Sequence, residues 1–101
     1  MGFVKLASTT DVKPNEMKGF TVNGEAILLV NLGGVYYAIG NRCTHMGCML
    51  SNGTLKDDTV QCMCHSSVFN LKTGSVIKGL AMKPEPKYEL KIEAEQVLIN
   101  L

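Results

Sequence analysis

The stretch Cys43-Thr44-His45-Met46-Gly47-Cys48, followed after an interval by Cys62-Met63-Cys64-His65-Ser66-Ser67, decides how this chain is to be read. It contains all four cysteines and both histidines of the 101 residues. Written as spacing it is Cys-x-His, sixteen residues, then Cys-x-x-His. Four thiols and two imidazoles in so short a span admit a set of disulfides, a metal site, or both. A histidine that only packed a core would fall without regard to cysteine, whereas His45 and His65 each stand within three residues of one.

Outward from this stretch the punctuation is that of short strands and tight turns. Phe3, Lys5 and Ala7 alternate with Val4, Leu6 and Ser8 as an opening strand, and Lys13 to Lys18, with Pro14 and Asn15, reads as a loop or a single helical turn. Phe20 to Val22 runs into Asn23-Gly24, a hairpin dipeptide because both central residues of a type I′ turn need positive φ. Glu25 to Asn31 and Val35 to Ile39 form a second hairpin across Gly33-Gly34. Thr54 to Lys56, Thr59 to Gln61 and Ser75 to Lys78 are further short strands, and Tyr88 to Ile92 with Gln96 to Leu101 make a last hairpin across Glu93-Ala94-Glu95. Between Asn41 and Gly74 the apolar runs shorten while Cys, His, Met, Ser and Gly accumulate. The pattern predicts one all-β domain over residues 1–101: a small antiparallel sandwich or barrel as base, about 1–40 and 75–101, with a subdomain, about 41–74, inserted and held by something other than a core.

Length and composition exclude other classes. A chain of 101 residues is a single domain that buries about 60–65% of its unfolded surface. With 46% hydrophobic and 19% charged residues and a formal net charge of +1, it is neither a disordered tail nor a polycation suited to nucleic acid. The longest aliphatic run, Ala26 to Val30, is far below the ~20 residues of a membrane helix. Lys5 interrupts the one short apolar stretch near the start, no secretory signal is visible, and Leu6 stands where a myristoylation pattern wants Ser or Thr. A cytoplasmic protein is the expectation.

Two segments that each offer one thiolate and one imidazole can hold a two-iron, two-sulfide cluster, with both cysteines on one iron and both histidines on the other. On this double motif the chain resembles the Rieske-type iron–sulfur proteins, and the likeness runs from about Asn41 through Phe69-Asn70-Leu71-Lys72-Thr73-Gly74 to Pro84-Glu85-Pro86. The resemblance implies one 2Fe-2S cluster, with Cys43 and Cys62 on the inner iron and His45 and His65 on the outer, more exposed one. It also implies a base of antiparallel strands with an inserted cluster-binding subdomain, the division that the composition shift at Asn41 suggests independently.

Charge explains why histidine would serve here. Two ferric ions, two sulfides and two thiolates sum to zero with neutral imidazoles, whereas four thiolates leave a net negative cluster. Adding an electron to the neutral centre costs less, hence potentials of roughly −150 to +300 mV against about −400 mV for plant-type ferredoxins. The imidazoles carry ionisable N–H groups that ferric iron acidifies, so electron and proton are coupled.

Within the resemblance Ser67 stands where high-potential members hydrogen-bond a cluster sulfide through a serine hydroxyl, and Phe69 where they carry tyrosine; Gly47 belongs to the same surroundings of the cluster. Ser66 replaces a common glycine and Met63 a common proline. An intermediate or low Rieske potential is expected. The resemblance further pairs Cys48 with Cys64 as a disulfide between the two ligand segments, a feature of the cytochrome-complex branch that many oxygenase-linked ferredoxins lack. Such a bridge would contribute about 3 kcal/mol on the loop-entropy model, in tension with a reducing cytoplasm.

Zinc is the competing metal, but Cys-x-His is not its usual knuckle. A plant-type cluster fits worse, since Cys43 and Cys48 have its first spacing but Ser51 stands where its third cysteine belongs. No histidine remains for a second, mononuclear iron site. The expected function is therefore that of a soluble one-electron carrier, monomeric when free, which accepts electrons from a reductase and passes them to a terminal protein such as an oxygenase, docking around His45, His65 and the methionines beside them. The alternative is an accessory or redox-sensing subunit of a larger reductase.

Overall fold

Strand β1 (Phe3–Ser8) pairs antiparallel with β11 (Gln96–Asn100), and β11 in turn with β10 (Leu90–Glu93), giving a three-stranded sheet in a computed structural model that describes residues 2–42, 49–63, 67–78 and 86–100. The alternation expected along β1 breaks at Leu6. The register shifts between Lys5 and Ala7, and this bulge turns both Leu6 and Ala7 into the interior.

The middle sheet grows from the two hairpins legible in the sequence. Asn23 and Gly24 adopt φ of 51° and 80° and fold β2 (Glu16–Val22) onto β3 (Glu25–Leu32). Gly33 and Gly34, at 61° and 102°, do the same between β3 and β4 (Val35–Gly40). Buried Asn31 pins that second turn: its Oδ1 accepts from Gly34 N–H at 2.7 Å and its Nδ2 donates to the Val12 carbonyl at 3.0 Å. The segment read as a loop or helical turn becomes strand from Glu16 onward, because Asn15 takes φ 65° and donates its N–H to the Asn31 carbonyl. A short strand β9 (Lys87–Tyr88) borders β4.

A third, small sheet has the order β5 (Thr54–Lys56), β6 (Thr59–Gln61), β7 (Val68–Asn70), β8 (Val76–Lys78). Val76–Lys78 pairs with β7, so this sheet extends past Gly74. The segment read as one strand from Tyr88 to Ile92 is divided at Glu89, with Tyr88 bonded into the middle sheet and Leu90 into the three-stranded one.

Strand β3 lies between two cores. Its alternate residues Leu28 and Val30, with Ile39 of β4, pack on the small sheet through Val60, Phe69 and Leu71. Ile27 and Leu29, with Ala38, face Leu6, Ala7, Val12, Val97 and Ile99 of the three-stranded sheet and its neighbourhood. Side-chain alternation along one strand thus feeds two layers, which explains an unbroken apolar run.

Candidate metal centre

Of the four predicted ligands, Cys62 is among the described residues; Cys43, His45 and His65 lie outside them, as do Gly47, Cys48, Cys64, Ser66 and the Pro84-Glu85 pair. The described residues include the surroundings of Cys62 and those that flank segments 43–48 and 64–66.

Strand β6 runs directly into Cys62, whose N–H donates to the Ser67 carbonyl at 2.7 Å, one step beyond the Gln61–Val68 pair. On this ladder Val60 stands opposite Phe69, and Cys62 opposite Ser67. Because side chains alternate along a strand, these four share one face, and all four are 0% exposed. Cys62 is a free thiol. It packs in the core that holds Leu28, Val30, Ile39, Leu50 and Phe69. The next residue, Met63, is 66% exposed, so the chain passes from interior to surface within one position.

The other segment, 43–48, is bracketed by an isolated antiparallel bridge between Arg42 and Met49. A single 3₁₀ turn (Leu50–Asn52) follows, and its Leu50 enters the same core as Cys62. Gly53 ends the turn by donating its N–H to the Leu50 carbonyl at 2.9 Å. A Cβ at Gly53 would strike the Gln61 carbonyl, so this glycine lets the first segment's exit lie against the strand that leads to Cys62. Both segments are therefore anchored on one hydrophobic cluster. Predicted Ser67 and Phe69 sit on the same inward face as Cys62.

A concavity of about 370 Å³ is lined by Asn15, Leu32, Val35, Tyr37, Asp57, Asp58 and Lys72. It lies at the opposite end of β6 from Cys62 and shares no residue with the centre.

The model of the Rieske [2Fe-2S] domain matches residues 2–91 of this chain. The chain belongs to the Rieske family. It is 36% identical over 101 residues to the ferredoxin component of biphenyl 2,3-dioxygenase from Rhodococcus jostii (strain RHA1), covering 100% of this chain and 94% of that one. Among solved structures, the Sphingomonas yanoikuyae B1 ferredoxin superposes with a TM-score of 0.93 at 25% identity, covering 99% of both chains. A chain of the complex of reduced oxygenase and oxidised ferredoxin in carbazole 1,9a-dioxygenase gives 0.89 at 26% identity, covering 96% of this chain and 91% of that one. The Rieske domain carries one 2Fe-2S cluster, and relatives that match this Rieske chain from end to end are electron carriers rather than catalytic subunits. The all-β, antiparallel architecture expected from the sequence is the one these proteins share.

Sequence reasoning missed a group around the first segment: Asn41, Ser51 and Gly19. Their side chains and backbone meet beside the Arg42–Met49 bridge. The separations of 10 residues between Asn41 and Ser51, and 22 between Gly19 and Asn41, leave no local pattern to read.

Proposed function

We propose that this Rieske chain carries single electrons from a reductase to a terminal oxygenase, holding its cluster through Cys43 and Cys62 on the inner iron and His45 and His65 on the outer. The observation that carries the reading is the setting of Cys62. A thiol at 0% exposure, opposite Ser67 and in one core with Phe69, suits an inner ligand shielded from water, while the next residue, Met63, is already at the surface. The donor set fits the group: two thiolates and two neutral imidazoles balance the charge of an oxidised two-iron, two-sulfide centre. When bound, the cluster supplies a one-electron couple. The chain's own residues exclude water from the Cys62 side and present the His-bearing side to a partner.

The direction of transfer is supported by the relatives, which are ferredoxin components, and by the solved complex in which such a ferredoxin sits with an oxygenase. In this reading the middle and three-stranded sheets are the base, the segment from about residue 41 to 74 is the cluster-binding insertion, and the docking face comprises Met63 with the segments that carry His45 and His65. We also place the protein in the cytoplasm and Cys48 and Cys64 in a disulfide; thiol labelling of unreduced, anaerobically prepared, cluster-stripped protein finds two reactive cysteines if they are bridged and four if not.

The main test is purification followed by iron and sulfide analysis and reduced-state spin resonance. Two irons and two sulfides per chain, with rapid reduction by a Rieske-oxygenase reductase and reoxidation by its oxygenase, are expected. Stoichiometric zinc without sulfide, or an intact cluster that no reductase reduces, overturns the reading.

A further inference from the structure

The backbone enters the first ligand-bearing segment through Asn41, and four hydrogen bonds converge on that residue. Its N–H donates to the Ala26 carbonyl of β3 at 3.0 Å, and its carbonyl accepts from Leu50 N–H at 2.6 Å. Its side-chain Oδ1 accepts from Ser51 N–H at 2.8 Å, and its Nδ2 donates to Ser51 Oγ at 3.1 Å. Asn41 is 4% exposed. An amide fits this position because it offers a donor and an acceptor side by side without a charge; an aliphatic residue would take from the partly buried Ser51 N–H the acceptor it bonds.

The third member comes from β2. Gly19, paired with Leu28 in the strand, has no side chain where one would collide: a Cβ there would lie 2.5 Å from Asn41 Nδ2 and 2.9 Å from Ser51 Oγ. Glycine inside a strand weakens it and marks a close approach of another group. Here that group is the amide that ties residue 41 to residue 51.

We propose that Asn41, Ser51 and Gly19 form a latch that fixes where segment 43–48 leaves and rejoins the fold, and that Asn41 is thereby a positioning residue for the ligands Cys43 and His45. The inference rests on the ligand assignment above. The latch joins the two ends of the segment to each other and to β3, outside the Arg42–Met49 bridge. A thiolate and an imidazole delivered from a fixed base lose little freedom when they bind metal; delivered from a loose one, they dissociate more readily and settle in a different geometry.

The experiment compares the cluster-loaded protein with Asn41→Ala, Ser51→Ala and Gly19→Ala, reading chelator-driven iron loss, midpoint potential and reduced-state spin-resonance g values. Asn41→Ala is expected to lose iron about tenfold faster, as outer-shell changes around metal ligands commonly do. Ser51→Ala, which keeps the N–H to Oδ1 bond, should lose it less rapidly, and both should displace the potential and g values. Gly19→Ala should resemble Asn41→Ala alone but add little to it in the double variant, because removal of the amide takes away the nearest contact and releases Ser51 Oγ, the next nearest, to rotate away from the new methyl. Val97→Ala, in the other core, is the reference: it should lower Tm while iron loss and potential stay at wild-type values.

Wild-type iron loss, potential and g values in the three latch variants overturn the latch and leave the ligand assignment standing. Equal acceleration by Val97→Ala at a matched fall in Tm also overturns it, since the effect would then be general stability. Should Asn41→Ala fail to fold, Ser51→Ala and Gly19→Ala carry the same readouts. A wild-type protein that binds no cluster refutes the assignment and the latch together.

Discussion

The N–H of Cys62 bonds the carbonyl of Ser67 at 2.7 Å, placing a buried thiol and a buried serine face to face at the last rung of the β6–β7 ladder. Replacing either side chain leaves that backbone bond intact.

Cys62→Ser is expected to abolish the cluster. Iron and sulfide per chain should fall to background, and the visible absorption and reduced-state spin-resonance signal should vanish. Retention of a wild-type spectrum would remove Cys62 from the ligand set.

Phe69→Tyr and Ser67→Ala should move the midpoint potential in opposite directions. Phe69 is fully buried in the same core as Cys62, and a buried tyrosine hydroxyl takes a hydrogen-bond partner, which the proposed centre would supply. A hydrogen bond that favours the reduced state tenfold is worth about 59 mV in a one-electron couple. Potentiometry should show a rise of that order for the tyrosine variant and a comparable fall for the alanine variant; an unchanged midpoint in both would separate these residues from the cluster.

Met63→Glu tests the docking face. Because Met63 is 66% exposed, the substitution should leave stability within about 0.5 kcal/mol. The concentration of carrier needed for half-maximal oxygenase turnover should rise about fivefold, the effect of losing roughly 1 kcal/mol at an interface. Unaltered turnover would place docking elsewhere.

The proposed ligation by His45 and His65 sets a sign for pH dependence. Oxidised iron makes the imidazole N–H more acidic than reduced iron does, so between the two ionisations reduction takes up a proton. Raising the pH then opposes reduction, and the midpoint should fall by about 59 mV per pH unit across that window. Protein-film voltammetry over a pH series would show it, and a level line would exclude exposed histidine ligands.

Gly53→Ala should destabilise the protein by about 1–3 kcal/mol, the usual cost of overpacking, because its methyl meets the Gln61 carbonyl. Urea denaturation measures this directly. A wild-type midpoint would mean that the exit of the first segment can move away from β6.

The parts of this molecule that could be read from sequence are those in which one local cause suffices. Asn23-Gly24 and Gly33-Gly34 have the positive φ their turns require, and both hairpins lie where the dipeptides put them. The break at Glu89 and the pairing of Val76–Lys78 with β7 depend on which neighbour a strand meets, which periodicity does not encode. Leu6 is similar: only the bulge opposite β11 turns it inward with Ala7. At the centre, the spacing of Cys and His pointed to the chemistry because the ligands of one cluster fall at short, characteristic intervals along the chain. Asn41, Ser51 and Gly19 have no such signature, since an asparagine, a serine and a glycine gain meaning only once tertiary packing brings them together.

The two-sided burial of β3 bears on how such a protein is made in the cell. The layer formed by Leu6, Val12, Ile27, Leu29, Val97 and Ile99 contains no cysteine or histidine and asks nothing of iron. That layer draws on none of the residues proposed to hold the cluster, so it would be able to form first and give the machinery of cofactor assembly a ready foundation. Insertion, damage and repair of the inorganic core would then engage one storey of the building while the other stays closed.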